Sequence, residues 1–149
     1  MTDGHDRRLN ILRGIIGFTV LSTVLHYTHN FVAIEDYPQA SFPSSTVTQV
    51  AILLSWPLLT AVGVWGYRRY AARDYRRSHA ALLTYSFIGW ITLGHFTAGN
   101  PDIPAFWYAT IFTDAIAAVA LTAFVVWSSR LTQPAPSPTS SSSPAGTGR

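Results

Sequence analysis

The chain is predicted to be all-α, an integral membrane four-helix bundle with short extracytoplasmic loops and both termini in the cytoplasm. Three observations predict it. First, 48% of its 149 residues are hydrophobic and only 11% are charged, whereas a soluble domain of ordinary composition carries about 25% charged residues. Second, four apolar stretches have bilayer length: 11–34, 47–66, 80–99 and 105–127. About 20 helical residues cross a hydrocarbon core of about 30 Å. Third, the ten basic residues, all arginine, fall on one side once the chain crosses four times. Arg7, Arg8 and Arg13 lie at the first span, Arg68, Arg69, Arg73, Arg76 and Arg77 between the second and third, and Arg130 and Arg149 after the fourth. Basic residues near span ends mark the cytoplasmic side.

Residues 1–10 form a polar cytoplasmic segment. Arg7-Arg8 followed by an apolar run has the outline of a secretory or twin-arginine signal. No cleavage is expected, because Ala33 and Ala40 are preceded two residues back by Phe31 and Pro38. Glu35-Asp36-Tyr37-Pro38 ends the first span, since proline disfavours helix in the residue before it. The second span is free of charge and carries Pro57, which predicts a packing kink. Tyr67 to Ser78 reads as an arginine-rich connection, with His79 beside it and His5 in the N-terminal segment, both expected in water. Asn100 to Pro104 is a tight link that makes the third and fourth spans antiparallel neighbours. Residues 132–149 are rich in proline and serine and are expected to be a disordered cytoplasmic tail. The 11–131 segment is the membrane domain.

The absence of cysteine excludes a disulfide framework, a thiolate metal site, c-type haem attachment and a thiol nucleophile. The basic balance, with pI near 9.6, follows from topology and calls for no nucleic acid; the expected partners are the lipid bilayer and a membrane protein or a second copy. The most informative stretch is His26-Tyr27-Thr28-His29-Asn30. Histidine and asparagine are costly in hydrocarbon unless they face a partner, a cavity or an ion. Thr19, Ser22 and Thr23 continue the same helical stripe toward the N-terminus. In the four-span topology His26, His29, His95 and Asp114 all fall in the outer leaflet, and Asp114 is the only ionisable group of the fourth span before Arg130.

Imidazoles with a carboxylate suit zinc, iron or copper. The expectation is therefore an outer-leaflet metal site with His26, His29, His95 and Asp114 as ligands and Asp114 also as a catalytic base. Asn30, Thr110 and Trp107 are its expected ligand-binding surroundings. Such a site would serve a metal-dependent membrane enzyme or a redox protein. One alternative is a b-type haem held between His29 and His95. Another is a non-catalytic role, as a binder of lipophilic ligands or as a helical subunit of a membrane complex. Interhelical hydrogen bonding alone would also account for the histidines. The aromatics form two belts, Tyr27, Phe31 and Phe106–Tyr108 at the outer boundary and Trp65, Tyr67, Tyr70 and Trp127 at the inner one. Gly14/Gly17 and Gly63/Gly66 are candidates for close helix approach, Trp90 is a candidate interior residue, and no internal repeat is expected. The size and four-span, both-ends-inside layout are similar to those of the EXPERA group of sterol isomerases and sigma-2-type receptors. That likeness is architectural, and their acidic and histidine motif has no residue-by-residue counterpart here. The location expected is a bacterial-type inner membrane.

Overall fold

A computed structural model describes residues 4–37 and 44–132, with the backbone alone for His95 and Ala98. The expected C-terminal tail beyond Thr132 lies outside the described residues. The described chain is helical throughout, with α1 Gly4–Val32, α2 Ser45–Ala71, α3 Tyr75–Ile91, α4 His95–Ala98 and α5 Ala105–Thr132. Short 3-10 turns at Ile34–Asp36 and Thr92–Gly94 follow α1 and α3. The helices close a ring of contacts in the order α1, α2, α3, α5 and back to α1. Three of them, α1, α2 and α5, are long and apolar enough to cross a membrane.

The polar side of α1 is its inner side. Thr19, Ser22, Thr23, His26 and Asn30 are buried, whereas Leu21 is 60% and Val32 75% exposed. A helix that hides hydroxyls and displays leucine and valine is adapted to hydrocarbon, where buried polar groups satisfy one another. Thr19 and Thr23 also donate to the carbonyls of Ile15 and Thr19, at 2.8 and 2.9 Å.

Two expected boundaries move. The arginine-rich connection is not a loop: α2 continues to Ala71 and α3 starts at Tyr75. The turn between them is closed by Asp74 N–H on the Arg69 carbonyl and Arg73 N–H on the Tyr70 carbonyl, both at 2.9 Å. This is the double bond pattern that ends a helix at a left-handed residue, and Arg73, with φ of 62°, occupies the position usually held by glycine. The third span is not one helix. The Thr92 hydroxyl takes the Gly89 carbonyl at 2.7 Å, which competes with the helical ladder, and the chain tightens before α4. Through Pro57, by contrast, α2 is continuous.

Packing also revises several residue assignments. A methyl on Gly63 would lie 2.5 Å from the Tyr85 ring and one on Gly66 3.1 Å from Leu82, so α2 and α3 do approach closely there. Gly14 and Gly17 have nothing within 4 Å and mark no such approach. The sequence pairing missed Gly89, whose methyl would meet the Asp114 carbonyl and lie 2.9 Å from Ala118. Tyr70 is fully buried and so belongs to the core, not to the inner aromatic belt, whereas Trp90 is 41% exposed and faces outward. His5 is buried, not solvated: its ring stacks on Tyr70 at 5.7 Å and its Nδ1 is 3.0 Å from the Tyr75 hydroxyl. His79 joins the same cluster through Ser128 at 3.2 Å. These contacts seat the start of α1 against α2 and α3.

Candidate functional site: a buried carboxylate in a hydroxyl seam

The interface of α1 and α5 is polar along the half nearer Tyr37 and Asn100, the end that the sequence expectation places outside. At its deepest point Asp114 is fully buried. Ser22 donates its hydroxyl to Asp114 Oδ1, and the Ser22 oxygen is 2.7 Å from that of Thr113. One turn outward, His26 Nδ1 is 3.2 Å from the Thr110 hydroxyl. Thr110 and Thr113 also donate to the carbonyls of Trp107 and Thr110, at 2.6 and 3.0 Å. His29 lies nearest the outer end, where its ring stacks on Trp107 at 4.4 Å and its Nδ1 is 2.9 Å from the Tyr37 hydroxyl. The Tyr37 ring stands edge-on to both imidazoles, at 6.3 Å from His26 and 5.8 Å from His29. Burial and the adjacent Asp36 push the Tyr37 phenol up to about 12, so it stays a hydroxyl near neutral pH.

The second carboxylate oxygen of Asp114 is buried and has no hydrogen-bond partner among the described residues. The Tyr85 hydroxyl, with Thr23 and Thr60 as its polar neighbours, is likewise buried without a hydrogen-bond partner among the described residues. Tyr27 donates to the Ile88 carbonyl at 3.1 Å. Buried polar atoms are normally paired. The Asp114 oxygen is an exception on a carboxylate whose other oxygen Ser22 already holds.

Toward the inner end the character changes. Leu12, Leu82, Leu121, Phe124 and Val125 form a buried apolar layer between the depth of Asp114 and the Tyr70/His79 cluster. The hydroxyl seam is therefore open in chemistry on one side and closed on the other.

Among the described residues the expected metal set does not come together. His26 and His29 turn to different hydroxyls, Thr110 and Tyr37, and Asp114 turns to Ser22. Among the described residues no three His, Cys, Asp or Glu side chains come together as a cation site. The physical cause is that three residues of helix rotate and lift His29 away from His26, so that their Nδ1 atoms turn to separate hydroxyls, on Thr110 and on Tyr37. The side chain of His95 lies outside the described residues. The b-type haem alternative pairs His29 with His95 and so rests on a side chain outside the described residues. Of the expected surroundings, Thr110 and Trp107 contact the imidazoles directly, and Asn30 is buried one turn beyond His26. Ser22, Thr113 and Tyr85 complete the seam; the sequence signalled Ser22 as part of the polar stripe, but nothing marked Tyr85, which reads as an ordinary aromatic. No family model, curated protein or solved structure matches this chain.

Proposed function

We propose that the chain is a four-span integral membrane protein with cytoplasmic termini, acting as a non-catalytic helical subunit that takes up and releases a proton at Asp114 from the outer side. The observation that carries this reading is the fully buried Asp114, bonded through one oxygen to Ser22 and unpartnered at the other among the described residues. An ionisable group kept inside a bundle at an insertion cost of roughly 2.5–3.5 kcal/mol is a functional residue by default. The surrounding groups are those that pass protons, namely hydroxyls that both donate and accept and an imidazole with two nitrogens. His29 and Tyr37 stand at the outer end of that route. The apolar layer of Leu12, Leu121 and Phe124 supports access from that end alone.

A catalytic, metal-dependent reading draws less support, because no three His, Cys, Asp or Glu side chains come together among the described residues. The test uses purified protein in oriented proteoliposomes. Infrared difference spectra should show a carboxyl C=O band that responds to outer but not inner pH and disappears in Asp114→Asn. A band insensitive to outer pH, or unchanged in Asp114→Asn, overturns the reading.

A further inference from the structure

The outer surface of the helix ring carries a repeated feature. Residues 60–68 of α2 read Thr-Ala-x-x-Val-Trp-x-x-Arg, and so do residues 122–130 of α5. The five shared positions fall within an arc of about 140° at 100° per residue, so each set lies on one helix side. Burial repeats with them. Val64 is 41% and Val126 45% exposed, while Trp65 and Trp127 are each 43% exposed. The intervening Gly66 and Ser128 are both buried. Each set lines a groove, one of about 500 Å³ along Trp56, Thr60, Ala61, Val64, Trp65 and Arg68. The other, of about 430 Å³, runs along Thr122, Ala123, Val126, Trp127 and Arg130 with Trp90 of α3 as its outer wall. Because α3 runs opposite to both, α2 and α5 run in the same sense, and both grooves end in arginine at the same end of the molecule.

Among the described residues neither terminal arginine is engaged. Arg69 and Arg77 are held by Asp74, at 3.9 and 3.3 Å, and Arg69 also lies 5.2 Å over the Trp65 ring. Arg68 and Arg130 are exposed and have no ion pair or side-chain hydrogen bond among the described residues. Each groove thus offers a cation at its inner end, an indole three residues further in, and an apolar floor of about two helical turns beyond.

We infer that the two grooves are equivalent sites for an anionic phospholipid of the inner leaflet. Its phosphate would sit on Arg68 or Arg130, its ester region at Trp65 or Trp127, and one acyl chain along the valine, alanine and threonine. The charge selects an anionic headgroup, and tryptophan is suited to the boundary between headgroup and chain. The inference rests on the membrane-spanning part of the proposed function and is independent of the Asp114 chemistry.

Native mass spectrometry of the detergent-purified chain tests it, with phosphatidylglycerol and phosphatidylcholine offered at equal concentration. Up to two phosphatidylglycerol molecules should be retained in preference to phosphatidylcholine. Arg68→Gln and Arg130→Gln should each weaken one site about five-fold, and the double variant should lose the preference. Arg76→Gln, at an exposed arginine outside both grooves, should leave retention unchanged. Equal retention of the two lipids, or an Arg76→Gln effect as large as that of Arg68→Gln, overturns the inference while leaving the membrane reading intact. Recovery of the protein without detergent in the soluble fraction would overturn both.

Discussion

Asp114 and Ser22 form the contact on which the interior turns, and their roles separate under substitution. Asp114→Asn keeps an acceptor for the Ser22 hydroxyl. Asp114→Leu leaves Ser22 and Thr113 bonded to each other across 2.7 Å and removes a buried charge together with its desolvation cost, a trade that is often neutral. Both variants should unfold within about 1 kcal/mol of the parent in detergent, and both should lose the proton-linked infrared band. Loss of folding in both, with unchanged proton uptake per folded molecule, would make the residue structural. Gly89 behaves in the opposite way. Its methyl would strike the backbone of Asp114 and lie 2.9 Å from the Ala118 Cβ, and backbone cannot rotate aside. Gly89→Ala should cost about 1–3 kcal/mol in thermal unfolding, whereas Gly14→Ala, with nothing within 4 Å, should stabilise by about 0.5–1 kcal/mol. The polar stripe of α1 was legible in the sequence because its residues recur at helical spacing. The individual partners were not, since choosing Thr110 for His26 and Tyr37 for His29 depends on how α5 and the 3-10 turn at Ile34–Asp36 are set against α1. Gly89 was invisible for the same reason: its neighbours are 25 or more residues away.

At the scale of elements, the long apolar segments could be read directly from the sequence, while the ends of the helices could not. The α2–α3 turn escaped notice because arginine holds the left-handed position that glycine usually announces. That conformation costs a non-glycine residue roughly 1–2 kcal/mol. Arg73→Gly should therefore raise the unfolding midpoint, by up to about 1 kcal/mol equivalent, with the helical circular-dichroism signal unchanged. A drop would mean that the Arg73 side chain contributes more than its backbone loses. The start of α3 carries a second consequence. Burial lowers the His79 pKa from its ordinary value of 6.5, so the unfolded chain binds that proton more readily than the folded one. Stability from this group is full above pH 6.5 and is lost as pH falls below it, through the folded value. Its ring faces Tyr70, Tyr75 and Ser128. Melting temperatures between pH 8 and pH 5 should fall for the parent and fall less for His79→Gln. Equal slopes would remove His79 as the cause.

Over the whole molecule, side chains are distributed as they must be in a lipid solvent. Leu53, Leu54 and Leu58 of α2 are each at least 60% exposed, while Asp114, His26 and Ser128 are fully buried. Water would favour the reverse arrangement. The all-helical character and the long apolar helices α1, α2 and α5 were legible from segment length, whereas the ring order α1–α2–α3–α5 was fixed by close approaches such as Gly63 on Tyr85, which no periodicity encodes. Ring order and direction together give the topology a sharp test. The start of α1 touches the end of α2 through Arg13, whose guanidinium donates to the Tyr67 hydroxyl at 3.0 Å. The end of α5 reaches the same place through Ser128 and the Tyr70 hydroxyl, 2.8 Å apart. Every described arginine therefore belongs to one end of the molecule. At the other end Asp102 N–H bonds to the Asp36 carbonyl at 3.3 Å, joining two connections that carry acidic residues and no basic ones among those described. An arginine end and an acidic end cannot exchange sides of a membrane without moving nine arginines against the usual bias. A reporter placed after Thr132 should accordingly be active on the cytoplasmic side, and one inserted at Asn100 on the outer side. An outer signal after Thr132 with an inner signal at Asn100 would mean either that the molecule is inverted, with the mouth of the Asp114 seam toward the cytoplasm, or that α3, with its break at Thr92–Gly94, does not cross. Two outer signals would mean that α5, which lies between the two reporters, does not cross.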